Sequence, residues 1–355
     1  MADKIGQEVI ITTTTNKRTG RPYGPALSSG TYKSVWDFGR AGRANYSVHG
    51  LGEYPSKIRP IVVAEVVNRF SEKGKTILDP FCGGGTVAIE AKLQGRNSIN
   101  FDISPFAVSL ARRRLEALDA NEMKRVTREF LEETRHAYAE AKTRFQRLQK
   151  SKQLAFYEEK LRELEDEHSD YYKTLHTVEV RDARELGLPD ESVDAVITDI
   201  PYASMIRYSD LEDDLSNIED YRAFLNELSK ALSEIWRVLK KGKYCVVFVA
   251  DYRIGAARRI LPVHADVISI MQRLGFELFD IYIWRYYRSG GFRPFGKAPY
   301  QAMNVHIYIL AFYKSTGSEQ TQKSNRPPRY RPRLIEKMER TRKAKMSTDL
   351  LTYIF

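Results

Sequence analysis

Two short stretches of this chain hold residue types that could do chemistry together. The first, residues 76–86, reads TILDPFCGGGT: an apolar run, Asp79-Pro80, a turn through Gly83, Gly84 and Gly85, then a helical pattern from Thr86. Glycines between a strand and a helix let the backbone take φ > 0 and let a ligand approach main-chain N–H groups with no Cβ in the way. A phosphate loop would need GxxxxGK followed by Ser or Thr, and a dinucleotide turn GxGxxG; this turn fits neither and points to a flat or charged ligand. The second stretch is Asp199-Ile200-Pro201-Tyr202, at the end of the apolar run AVIT. Between the two, Asp102 ends NSINFD and Asp182 ends VEVRD.

Those acids need elements to hold them. The pattern predicts helices over 61–70, 105–118, 221–239 and 264–274, and strands over 76–79, 97–102, 178–182, 192–199, 244–250, 277–287 and 305–313, with LKKGK (239–243) as a turn. Strands alternating with helices argue an α/β fold with a doubly wound, mainly parallel sheet. Ligands of such sheets bind at the carboxyl ends of strands, where Asp79, Asp102, Asp182 and Asp199 all fall; an acid at the position of Asp102 accepts ribose hydroxyls in nucleoside-binding folds.

The turn resembles the S-adenosylmethionine-binding motif of the DNA amino-methyltransferases (adenine-N6 and cytosine-N4), and DIPY resembles their Asp-Pro-Pro-Tyr catalytic motif, with Ile200 in place of Pro. The resemblance extends over YSVHGLGEYPSKIRP (46–60), KYCVVFVADYR (243–253), LPVHADV and VHIYILAF, roughly residues 36–314 without the stretch 119–176. It implies a Rossmann-like methyltransferase sheet. It also implies a cofactor site of Asp79, Pro80, Phe81, Cys82, Gly83, Gly85, Thr86, Asp102 and Ile103, with Asp182 and Ala183 at the adenine. Asp199, Ile200, Pro201 and Tyr202 would then be catalytic. In the family the first residue's side chain and the second's carbonyl accept hydrogen bonds from the target amine, and Ile supplies a carbonyl as Pro does. Two acceptors on an exocyclic amine favour sp³ nitrogen and aim its lone pair at the sulfonium methyl, so transfer is direct. Tyr202 offers a face for a base flipped out of its stack. No catalytic cysteine and no metal site are assigned.

Composition frames the rest. The 355 residues carry a net charge of +11, with 42% hydrophobic residues, no long apolar run and no secretory leader pattern, which predicts a cytoplasmic protein with an anionic partner. Residues 1–35 read as a flexible N-terminal arm, 36–118 as the cofactor-binding half, 119–176 as a helical insertion, 177–314 as the catalytic half and 315–355 as a basic tail. The insertion lacks Gly and Pro and is rich in Glu, Lys, Arg and Leu. It predicts a helical hairpin, a structural or homodimerising element or one that touches nucleic acid. Between Lys323 and Lys345 there are ten Lys or Arg against two Glu. Arg329, Arg331 and Arg333 there, and Arg285, Arg288, Arg293 and Lys297 in RYYRSGGFRPFGKAPYQ (285–301), are candidate nucleic-acid contacts.

The resulting expectation is methyl transfer to DNA, adenine N6 ahead of cytosine N4, with a restriction endonuclease as a partner. The alternatives are a transfer-RNA guanine-N2 methyltransferase, whose motif is similar, and a nucleic-acid-binding protein with a degenerate site.

Overall fold

The computed structural model describes residues 34–37, 46–55, 58–254, 259–285 and 306–317. Most of the N-terminal arm and the basic tail, and with them Arg288, Arg293, Lys297, Arg329, Arg331 and Arg333, lie outside the described residues. One compact unit runs to Ser315; of a second, beginning at Thr316, only residues 316 and 317 are described.

Strand β1 (Val35–Asp37) precedes helix α1 (Pro60–Phe70). Pro60 sits in the first turn of α1, where its missing N–H costs nothing, and Val62, Val63, Val66, Val67 and Phe70 form the buried stripe. Next come β2 (Thr76–Asp79), α2 (Thr86–Leu93), β3 (Asn97–Asp102) and α3 (Pro105–Ala117), then α4 (Ala120–Ala139) and α5 (Arg144–Glu165) in the Gly- and Pro-free stretch. The chain continues through β4 (His176–Val180), β5 (Val193–Asp199), α6 (Tyr221–Val238), β6 (Leu239–Val249), β7 (Tyr252–Ile254), β8 (Arg259–Leu261), α7 (Val263–Arg273), β9 (Phe276–Arg285) and β10 (His306–Lys314). No helix among the described residues is long and apolar enough to cross a membrane.

Eight strands form one sheet in the order β1-β9-β10-β6-β5-β2-β3-β4, while β7 and β8 make a separate ribbon. All neighbours are parallel except β10, which is antiparallel to both β6 and β9. The chain winds outward from β2 through β3 to β4, and in the other direction from β5 to β6. The order therefore reverses between β2 and β5, the crevice in which an α/β sheet takes its ligand. One apolar layer, containing Phe224, Leu228 and Leu232 of α6 and Val267 of α7, covers one face of the sheet; the α1 stripe with Ile197, Val246 and Phe248 lies on the other.

Three local features depart from the sequence reading. LKKGK is part of β6 rather than a turn: the register steps from Val193↔Leu239 to Ala195↔Tyr244, so residues 240–243 bulge opposite Asp194. Gly242 takes the φ of +76° the bulge requires, and Lys240 Nζ pairs with Asp194 Oδ1 at 2.8 Å. Strand β1 lies where the sequence pattern places no strand, and it borrows its ladder from β9, with Trp36 opposite Trp284. The β7–β8 ribbon likewise had no alternating pattern to announce it.

Helices α4 and α5 lie side by side, with Phe130 stacked on Tyr157 at 5.6 Å. At their base they cover a buried polar knot on α2. Glu90 accepts from the Tyr46 hydroxyl and lies 2.8 Å from His49 Nε2, Phe130 packs edge-on to Tyr46 at 5.1 Å, and Lys160 of α5 is buried nearby. Burial pushes the Lys160 ammonium down to about 8, against the attraction of Glu90.

Candidate active site

The cleft is built from strand ends. At the end of β2, Asp79 is buried and accepts from the Thr198 hydroxyl of β5 at 2.7 Å and from Phe81 N at 3.3 Å. The following turn needs its glycines: Gly83 and Gly85 have φ of +48° and +79°, and Gly85 N closes back on Cys82 O at 2.8 Å. Asp102, at the end of β3, takes Gly83 N on Oδ2 at 2.8 Å and Ser104 N on Oδ1 at 2.9 Å. Two main-chain donors thus fix that carboxylate while leaving it acceptor capacity toward the cleft.

Asp182 lies two residues past β4 and is already engaged. Arg184 clamps it, with Nη2 to Oδ2 at 2.6 Å and the Arg184 main-chain N to Oδ1 at 2.8 Å, and Arg184 also reaches Glu227 at 2.8 Å. At the end of β5, Asp199 Oδ1 accepts from the Tyr202 hydroxyl at 2.8 Å. Ile200 is 1% exposed and packs into the core on the α6 face.

These strand ends meet in a cleft open to solvent. Of the residues read from the sequence, it brings together Asp79, Pro80, Phe81, Cys82, Gly83, Thr86, Asp102, Ile103, Asp182, Ala183, Asp199 and Pro201. Gly85, Ile200 and Tyr202 stay outside its lining. Gly85 acts through the turn, and Ile200 through packing. Tyr202 is buried with its hydroxyl on Asp199, so in this structure it holds the carboxylate and presents no stacking face. Arg285 ends β9, opposite Asp37 and His306, and is exposed.

Four contributions had no individual residue signal. Tyr54 and Tyr208 both line the cleft, with nearly parallel rings 6.1 Å apart. Tyr54 sits in the 46–60 segment and Tyr208 six residues past the Asp199–Tyr202 string, and nothing in the sequence distinguished either ring. Asp214 also lines the cleft and is pinned by Ser209 Oγ at 2.6 Å and Ser216 N at 2.8 Å. Arg114 of α3 is fully buried and, among the described residues, donates to three main-chain carbonyls: Leu51 at 2.7 Å, Gly52 at 2.9 Å and Gly84 at 2.6 Å. It ties the segment carrying Tyr54 to the glycine turn, and in sequence it was one arginine of three, RRR at 112–114.

The electrostatics follow from crowding acids in a poorly hydrated place. Burial raises Asp79 to about 7, opposed by its two donors and helped by the Asp102 charge. Burial likewise raises Asp102 to about 6 and lifts Asp199 well above the usual carboxylate range. Both thiols, Cys82 and Cys245, are pushed up by burial and are not thiolates near neutral pH. An arrangement of this kind attracts a cation. S-adenosylmethionine fits it on three counts: acidic groups for a sulfonium and an ammonium, the fixed Asp102 carboxylate for hydroxyls, and apolar Phe81, Ile103, Ala183 and Leu215 for a flat ring.

Comparison with known proteins agrees with this geometry. Residues 193–350 match the DNA methylase family model, which takes in β5 and Asp199. Among curated relatives, the Type II methyltransferase M.MjaII of Methanocaldococcus jannaschii is 35% identical over 88 residues, 25% of this chain and 17% of that protein. The Type II methyltransferase M.MjaVI of the same organism is 27% identical over 136 residues, 37% of this chain and 66% of the relative. M.MthZI of Methanothermobacter thermautotrophicus, also a Type II methyltransferase, is 27% identical over 162 residues, 40% and 45% of the two chains. The matches thus span less than two thirds of these relatives' lengths. A DNA modification methylase of Thermus thermophilus, so described and solved in complex with S-adenosyl-L-methionine, is 30% identical over 41% of this chain and 60% of its own, at a TM-score of 0.30, too low to carry an argument. The model described as RMKL-like, methyltransferase domain matches residues 53–253, more than half of the chain and the whole of the cleft from Tyr54 to Phe248, and to that methyltransferase family the protein belongs.

Proposed function

We propose that this protein is an S-adenosylmethionine-dependent DNA methyltransferase that transfers a methyl group directly to an exocyclic base amine, adenine N6 ahead of cytosine N4, on a base flipped out of the duplex. The observation that carries the reading is the placement of Asp199 at the end of β5, in the same cleft as the glycine turn and Asp102. The bound cofactor supplies an electrophilic methyl; the chain supplies orientation and charge. Asp102 would hold the ribose hydroxyls, and the turn's main chain with Tyr54 would enclose the methionine end. Asp199 and the Ile200 carbonyl would accept the amine hydrogens, with Pro201 on the cleft wall. A base amine is delocalised and weakly nucleophilic, so acceptors that favour sp³ nitrogen lower the barrier where charge develops. The Type II names of the relatives favour a restriction endonuclease as functional partner. The second reading is a transfer-RNA guanine-N2 methyltransferase, whose Asp-x-Pro-Tyr motif Asp199-Ile200-Pro201-Tyr202 also fits.

The test is transfer of labelled methyl from S-adenosylmethionine to mixed-sequence genomic DNA and to total RNA, followed by nucleoside mass spectrometry. N6-methyladenine or N4-methylcytosine in DNA is the expected product. Label confined to guanine in RNA would replace this reading with the second.

Protonation gives a further expectation. A carboxyl raised in the fold holds its proton where the unfolded chain has lost it, so it costs stability as pH rises from its ordinary value of 3.8 to the folded value, about 7 for Asp79. The full shift corresponds to at most about 4 kcal/mol. Asp79→Asn should therefore raise the Tm of the ligand-free protein by a few degrees at pH 8 and by less at pH 5, while weakening cofactor binding. Differential scanning fluorimetry across that range reads it, and a gain that shrinks toward pH 8 would contradict the assignment.

A further inference from the structure

The helical pair α4–α5 divides its charges sharply between stem and tip. Along the stem, acids and bases are interleaved and paired: Arg128 Nη2 meets Glu165 Oε1 at 2.8 Å, Arg125 Nη2 meets Glu122 Oε1 at 2.6 Å, and Arg135 bridges Glu132 at 2.6 Å and Glu158 at 3.5 Å. Between Glu140 and Glu158 the sequence AKTRFQRLQKSKQLAFY has no Asp or Glu and carries Lys142, Arg144, Arg147, Lys150 and Lys152. A stretch at the protein's average composition would hold two acids, since 46 in 355 residues is about one in eight. This stretch thus has +5 in 17 residues, close to half of the whole chain's +11, and all five charges fall in its first twelve residues, 141–152, the tip of the pair.

The tip also stands clear of the core. Of the described side chains from 141 to 152, only Ala141 is buried; Lys142, Arg144 and Arg147 are exposed, and Leu148 is 54% exposed. Buried contacts resume below it, at Leu131 and Thr134 on α4 and at Gln153 and Tyr157 on α5. The turn itself is built: Arg147 Nε donates to Ala141 O at 3.1 Å and Arg147 N to Thr143 O at 3.0 Å, which closes the start of α5 over the end of α4. Helices of 20 and 22 residues make a stem of roughly 30 Å. Its ion pairs and the Phe130–Tyr157 stack brace that length.

We infer that the tip of the α4–α5 hairpin is a phosphate-backbone contact for the DNA substrate, with Lys142, Arg144 and Lys150 as its anchoring charges. This rests on the DNA reading above. Basic side chains on a stretch without acids, with Lys142 and Arg144 exposed and Lys150 half-buried on α5, neutralise phosphates and release counterions, which gives affinity without sequence information. The contact acts on substrate binding and not on the transfer step. The cleft lining carries Asp79, Asp102, Asp182, Asp199, Asp213 and Asp214 and no Lys or Arg, so a basic surface elsewhere on the described chain supplies attraction that this lining does not.

The test compares the full-length protein with the triple variant K142Q/R144Q/K150Q, which leaves the turn-forming Arg147 in place, and with the stem variant R125Q/R128Q. Fluorescence anisotropy of a labelled mixed-sequence 30-base-pair duplex across 50–300 mM KCl gives Kd and its salt slope. The tip variant should bind about 10-fold more weakly near 150 mM salt, with a slope of log Kd against log salt reduced by about 2 to 3. Its cofactor affinity and its kcat at saturating DNA should be unchanged, and the stem variant should match the parent protein in DNA binding. Parent-like Kd and slope in the tip variant would overturn the inference while leaving the methyltransferase reading intact. So would a loss confined to dimerisation in light scattering, or a loss seen with duplex RNA and not with DNA. A parent protein that neither binds nor methylates DNA would overturn the DNA reading itself.

Discussion

Asp199→Asn is expected to lower single-turnover methyl transfer by about 10²–10³-fold while leaving cofactor affinity within a few-fold. The side chain keeps its shape, and its Oδ1 can still accept from the Tyr202 hydroxyl, so the cleft stays assembled. What changes is charge and acceptor capacity: one carboxylate oxygen becomes an amide that presents donors to an amine already carrying hydrogens. Because burial lifts Asp199 well above the usual carboxylate range, the parent enzyme should also lose activity as pH falls, earlier than an exposed aspartate would require. Tyr202→Phe should cost less, since it removes a donor that restrains Asp199 and not the acceptor itself. Isothermal titration with S-adenosylmethionine, alongside quench-flow transfer to DNA, separates binding from chemistry. Loss of cofactor binding equal to the loss of transfer would remove Asp199 from the catalytic role.

Gly83→Ala should raise the cofactor Kd by about 100-fold. Gly83 has φ of +48°, a region that costs an L-residue roughly 1–2 kcal/mol, and an added Cβ would stand 2.6 Å from Tyr54 Cε1. The Tyr54 ring covers the turn and stacks near Tyr208, so relieving the contact means moving a wall of the cleft. Its own N–H also fixes Asp102, so backbone strain at Gly83 is transmitted to the carboxylate assigned to the ribose. The double change Gly83→Ala with Tyr54→Ala removes the clash and leaves the backbone strain. It should recover part of what the clash alone costs, set against the affinity that Tyr54→Ala loses by itself. Equal cofactor affinity in Gly83→Ala and the parent protein would show that the ligand does not depend on this turn.

The cleft was legible where chemistry is written in consecutive residues. Asp79 to Thr86 and Asp199 to Tyr202 are local strings, and their strand-end positions follow from apolar runs that stop at an acid. Arg114 was not legible, because a buried guanidinium that binds three carbonyls looks in sequence like any surface arginine of an amphipathic helix; its partners are 30 to 63 residues away. The clamp of Arg184 on Asp182 was hidden differently. The two residues are adjacent but for one, yet only the turn after β4 brings the side chains face to face. Strand β1 escaped because three residues carry no period, and its pairing with β9 lies across most of the chain. The LKKGK bulge escaped because glycine with lysines signals a turn equally well as a strand that must absorb extra residues.

The knot of Tyr46, His49, Glu90 and Lys160 bears on whether the hairpin could be removed from this protein. Composition alone marks residues 119–176 as a separable piece, of the kind that could be spliced out and the ends rejoined. Yet Glu90 belongs to the helix that begins at the glycine turn, and its carboxylate is kept from water by Phe130 and Tyr157 from the hairpin and by the segment leading to Tyr54. Excision would strand a carboxylate beside uncovered Ile89 and Leu93. The hairpin is thus part of the packing of α2 and not a detachable piece: a version of this chain shortened there would have to replace Glu90 and Ile89 along with the loss, and a hairpin moved elsewhere would need a receiving face of the same kind.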